Sequence, residues 1–202
     1  MDLTRDARLA GGAKALVASG LEPPSEDAMH RISESFDPSS VEWRRVTDPD
    51  CKDFLVDFEY SLLGYDLEAG RLDMLLRYAE DGGHCRRHRH VASTLTLVLD
   101  GEQFVTDHLP DGTMGKTVHR KKGDDALAPA DAHPHTERGG EAGGTVLLSM
   151  SAPDGILFEY FDENMENGWT LSIEQYVDSW NRGAVHGGAP EDASKAAGIA
   201  AE

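Results

Sequence analysis

From residue 41 to residue 161 the chain is a succession of short apolar-rich runs, cut at close intervals by turn residues. Residues 41–46, 54–63, 72–78, 94–99, 103–109, 116–120, 145–151 and 156–161 each have the length of a strand. Asp100-Gly101, Pro110-Asp111-Gly112-Thr113 and Pro153-Asp154-Gly155 punctuate them with turn chemistry. No helical periodicity intervenes, so the pattern predicts an all-β fold, an antiparallel sandwich or barrel.

The flanks read differently. Residues 4–19 could form a loosely attached helix with Leu9, Ala13, Leu16 and Val17 along one side. Gly11-Gly12 weakens it by about 1 kcal/mol per glycine relative to alanine. Pro23-Pro24 ends it, and a polar linker runs to Ser40. After Gly168, Ser172 followed three residues later by Gln175 is a capping-box signature. Ile173, Tyr176, Val177 and Trp180 recur at helical spacing, which predicts a short helix over 173–181 packed on the barrel. Beyond Gly183 a Gly/Ala/Asp/Glu-rich tail is expected to be disordered. The division is therefore 1–40 helix and linker, 41–168 barrel, 169–183 helix and 184–202 tail.

With 37 acidic and 19 basic residues among 202, the formal net charge is −18. Such a surface repels phosphate backbones, which argues against nucleic acid and anionic membrane as partners. Two cysteines, Cys51 and Cys85, are too few for a disulfide framework. The early charges leave no room for a signal-peptide apolar region, and no apolar run is long enough to span a membrane. A cytoplasmic setting with reduced thiols is expected.

The histidines cluster. His84, His88 and His90 fall together, as do His133 and His135. Side chains two apart on a strand share a face, so His88 and His90 can present imidazoles to one point, and neutral imidazole is the commonest protein metal ligand. His84 joins them only if the strand extends that far back. Cys85 has the opposite parity, which argues against thiolate ligation.

Gly82, five residues, His88-X-His90, then Thr94, then six residues to Gly101 resembles the first motif of the cupins. Gly123, five residues, Pro129 and then His133-Pro134-His135 resembles their second motif, which supplies a third histidine. The resemblance covers roughly residues 41–161 and implies a single jelly-roll-like β-barrel holding one metal ion. Two departures matter. Thr94 stands where the motif has a glutamate ligand, and the second motif would place its histidine at Pro134. One deletion selects His133 and one insertion selects His135; the Pro134-His135-Thr136 turn favours His135, leaving His133 as the rival ligand or a pocket residue.

A three-histidine site without a carboxylate would leave coordination positions open. The segment 63–83 looks most like the acetylacetone-dioxygenase group and the cupin part of ChrR-type anti-sigma factors. The resemblance therefore implies Fe(II), with Zn(II) the main rival. It implies a dioxygenase acting on a small carbonyl or enolisable substrate. The alternatives are a non-catalytic metal or ligand sensor and a zinc-dependent lyase or isomerase. Thr94 is expected inside the barrel, within reach of the metal but not bound to it. Glu137 shares the parity of His135 and could orient a ligand histidine, although a solvated carboxylate fits as well. His108 and His119 are expected at the surface, and Phe158, Tyr160 and Met150 in the core or pocket wall. Parity from His90 turns Leu95, Leu97 and Leu99 outward, so a homodimer formed through this sheet surface is expected, with the terminal helix as the alternative cover.

Overall fold

The computed structural model of the protein describes residues 35–80, 82–166 and 168–183, with the backbone of residues 185 and 186. The helix expected over 4–19 lies outside these residues, as does most of the expected tail. A 3-10 turn, Pro38–Ser40, is capped by the Asp37 side chain. It leads through β1 (Arg44–Thr47) into the hairpin of β2 (Asp57–Asp66) and β3 (Arg71–Tyr78). Then follow β4 (His88–His90), β5 (Ser93–His108), β6 (Met114–Lys121), β7 (Asp125–Ala128), β8 (His135–Ser151), β9 (Ile156–Tyr160) and β10 (Trp169–Ser172). Helix α1 (Ile173–Arg182) and β11 (Val185–His186) close the described chain.

All strands belong to one curled sheet in the order β10-β9-β4-β8-β3-β2-β1-β11, with β5 pairing β8, β6 and β7. The protein is all-β, a single barrel with a helix on its C-terminal side, as the turn-punctuated runs imply. The spine is β8. Its C-terminal half pairs β3 on one edge and the first half of β5 on the other. At its start His135 pairs His88 of β4, while residues 135–139 pair the second half of β5.

The runs at 94–99 and 103–109, separated in the sequence reading by a turn at Asp100-Gly101, are one 16-residue strand. The turn residues make bulges instead, with register shifts between Val98 and Asp100 and between Gly101 and Gln103. Gly101 has φ 62°, and a Cβ there would lie 2.5 Å from the Gly143 carbonyl oxygen; only glycine fits. The bulges reset parity, so Thr94, Thr96 and Val98 are followed in the buried set by Gln103 and Val105. Likewise β8 starts at His135, ten residues before the run at 145–151, because Gly139-Gly140 and Gly143-Gly144 carry no side chains to mark the strand.

The core packs Tyr60, Leu72, Met74, Leu148, Met150 and Leu157 between the curled faces, each worth roughly 1.5–3 kcal/mol when fully buried. Helix α1 has the expected capping box between Ser172 and Gln175 and ends on Gly183 in the left-handed region. It docks Ile173, Tyr176 and Val177 onto this core, with Tyr176 edge-on to Tyr60 at 4.9 Å. Val185–His186, within the segment expected to be disordered, adds a parallel strand to β1, which would otherwise be an open sheet edge.

The outward leucines have a cover that neither sequence alternative named. Leu97 and Leu99 form a second buried cluster with Leu75, against Phe36, Val41, Trp43 and Leu147. Trp43 is fixed by its Nε1–H donating to the Pro38 carbonyl at 2.9 Å and by the Arg77 guanidinium 4.2 Å from its ring. The terminal helix belongs to the main core instead. Only Leu95 remains exposed at 36%, beside its cross-strand neighbour Leu127 at 65%. Trp43→Ala is predicted to lower unfolding free energy by about 2 kcal/mol, below the fully buried range because the ring is half-buried. Denaturant unfolding measures this; an unchanged midpoint would show that segment 36–43 is no cover.

Candidate metal centre

The short strand β4 is held in register by its charged neighbours. Arg89, between the two histidines, turns outward onto Glu159, its cross-strand partner on β9, and onto Asp131. Arg86 pairs with the buried Asp48, and Arg87 with Asp53 at 2.6 Å. The Arg-rich segment is therefore a clamp, and alternation along it turns His88 and His90 into the barrel. Both are buried, and so is His135 on the adjoining strand.

The three rings face one another, with centroids 5.2 Å apart for His88–His90, 4.6 Å for His88–His135 and 5.2 Å for His90–His135. Each is tied at Nδ1. His88 Nδ1–H donates to the Arg86 carbonyl at 2.8 Å, and His135 Nδ1–H to the His133 carbonyl at 2.7 Å. The Thr94 hydroxyl gives its proton to the Ala92 carbonyl, so it accepts from His90 Nδ1–H at 2.8 Å. These bonds select one tautomer and leave the Nε2 lone pairs for the centre. His90 Nε2 is buried without a hydrogen-bond partner in the structure, an orphan that a cation would satisfy.

Glu137 completes the group. One ligand atom from each of His88, His90, His135 and Glu137 lies within 4.8 Å of the others, and all four residues are buried. Its Oε2 accepts from the Tyr78 hydroxyl at 2.8 Å, and its Oε1 lies 3.5 Å from His135 Nε2. The expectation of a carboxylate-free site is corrected. The position taken by Thr94 on β5 lacks the acid, but β8 supplies one two residues beyond His135, on the same face. Strand parity alone carried that signal.

Burial and then the charge of His135 push the His88 pKa down to about 4. Burial, His135 and His88 hold that of His90 well below its ordinary value. Burial would also lower His135, but the Glu137 carboxylate outweighs it and the net shift is upward. Burial would raise Glu137, yet the bond from His135 and the neighbouring imidazoles hold it well below the usual carboxylate range. The cluster thus offers two neutral imidazoles, His88 and His90, a third, His135, whose Nε2 proton a cation would displace, and a committed carboxylate, a donor set that suits a divalent cation.

Thr94 lies inside the barrel, as expected, with its hydroxyl beneath His90 rather than at the centre. The His133 side chain is exposed and outside the cluster; its contribution is the carbonyl that orients His135. His84 lies outside as well, packed on Phe54, because β4 does not extend back to it. Cys85 is buried with Sγ 3.3 Å from the Tyr78 hydroxyl, and both cysteines are free. His119 is exposed and bonds Glu102. His108 corrects its surface assignment: the strand runs on to it, burying the ring between Arg87 and Thr136. Phe158 sits edge-on to His88 and His90 at 5.5 and 5.1 Å, forming a wall beside them.

No protein-family model and no curated protein matches the chain. Solved structures do. An RmlC-like cupin from Ralstonia eutropha JMP134 is 15% identical over 72% of this chain and 83% of its own, with a TM-score of 0.52. An acetylacetone dioxygenase from Acinetobacter johnsonii is 14% identical over 74% of this chain and 90% of its own, with a TM-score of 0.53. The chain has the cupin fold. Its barrel holds a buried three-histidine, one-glutamate cluster suited to a divalent metal. Among the described residues no helix is long and apolar enough to cross a membrane.

Without metal, the raised pKa of His135 keeps a proton at Nε2 toward Glu137, where a cation would sit. Loading zinc at pH 6 is therefore predicted to release about one proton. Titration calorimetry in buffers of different ionisation enthalpy counts it, and zinc uptake with no proton released would contradict the assignment.

Proposed function

We propose that the protein is an iron(II)-dependent dioxygenase of small enolisable carbonyl compounds. The observation that carries this reading is the buried cluster of three tautomer-locked imidazoles with one carboxylate. The fold shared with the Acinetobacter johnsonii acetylacetone dioxygenase supports the substrate class, and a reaction with O₂ calls for a redox-active ion such as iron rather than zinc. His88, His90 and His135 hold the ion through Nε2, and Glu137 Oε1 is the fourth donor. A divalent ion there would supply Lewis acidity toward a chelating carbonyl and, as iron, electron transfer to O₂.

The protein's own groups divide the remaining work. Thr94 and the carbonyls of Arg86 and His133 hold the imidazoles in aim. Tyr78 holds Glu137 by one oxygen. Glu137 stays ionised, so it acts as an anionic donor rather than a proton source. Phe158, edge-on to His88 and His90, keeps water from one side of the cluster. In the same reading the exposed Leu95–Leu127 pair belongs to a homodimer contact, which light scattering at twice the 22.0 kDa chain mass would support.

Protein purified without added metal is predicted to carry iron and to consume O₂ with a β-dicarbonyl compound. His90→Ala is predicted to lose both, and His119→Ala neither. Zinc in place of iron, with no O₂ uptake, would point to a lyase or isomerase; absence of any metal would point to a non-catalytic binding module.

A further inference from the structure

The inner face of the barrel continues past the histidine cluster. Across β8, β5 and β6, Glu137 lies opposite Val105, and Val105 opposite Val118. One step along the same face, Gly139 lies opposite Gln103, and Gln103 opposite Arg120. Side chains paired across strands share a face, so Gln103 and Arg120 stand beside Glu137 in the next row. The outer face carries Phe104 instead, with His119 stacked on it at 4.3 Å.

Gln103 is fully buried. Its Oε1 accepts from Arg120 Nη1 at 2.9 Å; a guanidinium can only donate, so the amide orientation is fixed. That leaves Nε2 as a buried donor with no hydrogen-bond partner, a loss that native structures seldom leave unexplained. Arg120 is half-buried and has no carboxylate within salt-bridge distance among the described residues. Arg45, Arg77, Arg86, Arg87 and Arg89 all have one. In a chain of net charge −18 an inward arginine without a counter-ion is conspicuous.

We propose that Gln103 and Arg120 anchor a substrate carboxylate, so that the substrate is a small enolisable oxo-acid rather than a neutral diketone. The amide Nε2–H and the remaining guanidinium N–H groups are donors on one face, as carboxylate recognition requires. The carbonyl end of the substrate then lies toward His88, His90, His135 and Glu137. This proposal rests on the preceding reading for the metal end alone; the anchoring pair is a separate set of atoms.

Calorimetric titration with acetoacetate and with neutral 2,4-pentanedione tests it, on protein as purified and on chelator-treated protein, with metal content measured in each sample. Acetoacetate is predicted to bind about tenfold or more tightly than 2,4-pentanedione. Gln103→Leu and the more exposed Arg120→Gln should each weaken acetoacetate about tenfold or more, leaving 2,4-pentanedione affinity and metal content within about twofold. In chelator-treated protein acetoacetate binds more weakly, yet the dependence on Arg120 remains. Acetoacetate affinity unchanged in Arg120→Gln, or equal losses for both ligands, would overturn the anchor whatever the metal content. A protein that holds no metal but keeps Arg120-dependent acetoacetate binding would refute the dioxygenase reading and leave the anchor standing.

Discussion

The site depends on three hydrogen bonds that tie each imidazole at Nδ1. A histidine ring buried in apolar surroundings has two nitrogens to satisfy, and a free ring would turn to satisfy whichever neighbour it could reach. Here the Arg86 carbonyl, the His133 carbonyl and the Thr94 hydroxyl each claim Nδ1. The Nε2 atoms then converge, one of them with no hydrogen-bond partner in the structure. That arrangement is unfavourable as it stands and becomes favourable once a cation shares the lone pairs. The sheet serves this geometry: β4 is three residues long, and its place is fixed by β8 on one edge and β9 on the other.

Charge is sorted in the same way. The exterior carries the acid excess, while the arginines flanking His88 and His90 are neutralised one by one by Asp48, Asp53, Asp131 and Glu159. Pairing them keeps cations from competing with a metal for the cluster and fixes the strand that bears it. Among the described residues Glu137 is the carboxylate that joins the histidine cluster, and it is held by Tyr78 and faced by His135. The neutral rings and the single anion give a centre that a divalent cation would leave with one net positive charge, enough to polarise a bound carbonyl.

Much of this was legible in the residues and some was not. Turn chemistry and alternation gave the barrel, and the His-X-His parity gave the inward pair. The capping box gave α1 to within a residue. The length of β5 was hidden because Asp100-Gly101 reads as a turn, whereas the structure uses the glycine's left-handed φ for a bulge within a continuous strand. The same bulges moved Gln103 to the inner face, where simple alternation from His90 would not put it. Glu137 had the right parity, but no rule of spacing distinguishes a buried carboxylate from a solvated one. Burial comes from Tyr78 and Cys85, distant in sequence. Ahead of His133-Pro134-His135, Asp131 takes a left-handed φ of 58°, a conformation that an aspartate tolerates better than most side chains, so this turn gives no glycine signal in the sequence.

The central claim is that one cation sits at the meeting point of the three Nε2 atoms and Glu137. An anomalous difference map from a metal-loaded crystal, recorded at the absorption edge of the bound metal, tests it directly. The account predicts a single strong peak about 2.0–2.2 Å from Nε2 of His88, His90 and His135, with a Glu137 oxygen at similar range. A peak at His133 or His84, or a loaded crystal with no peak in the barrel, would contradict it.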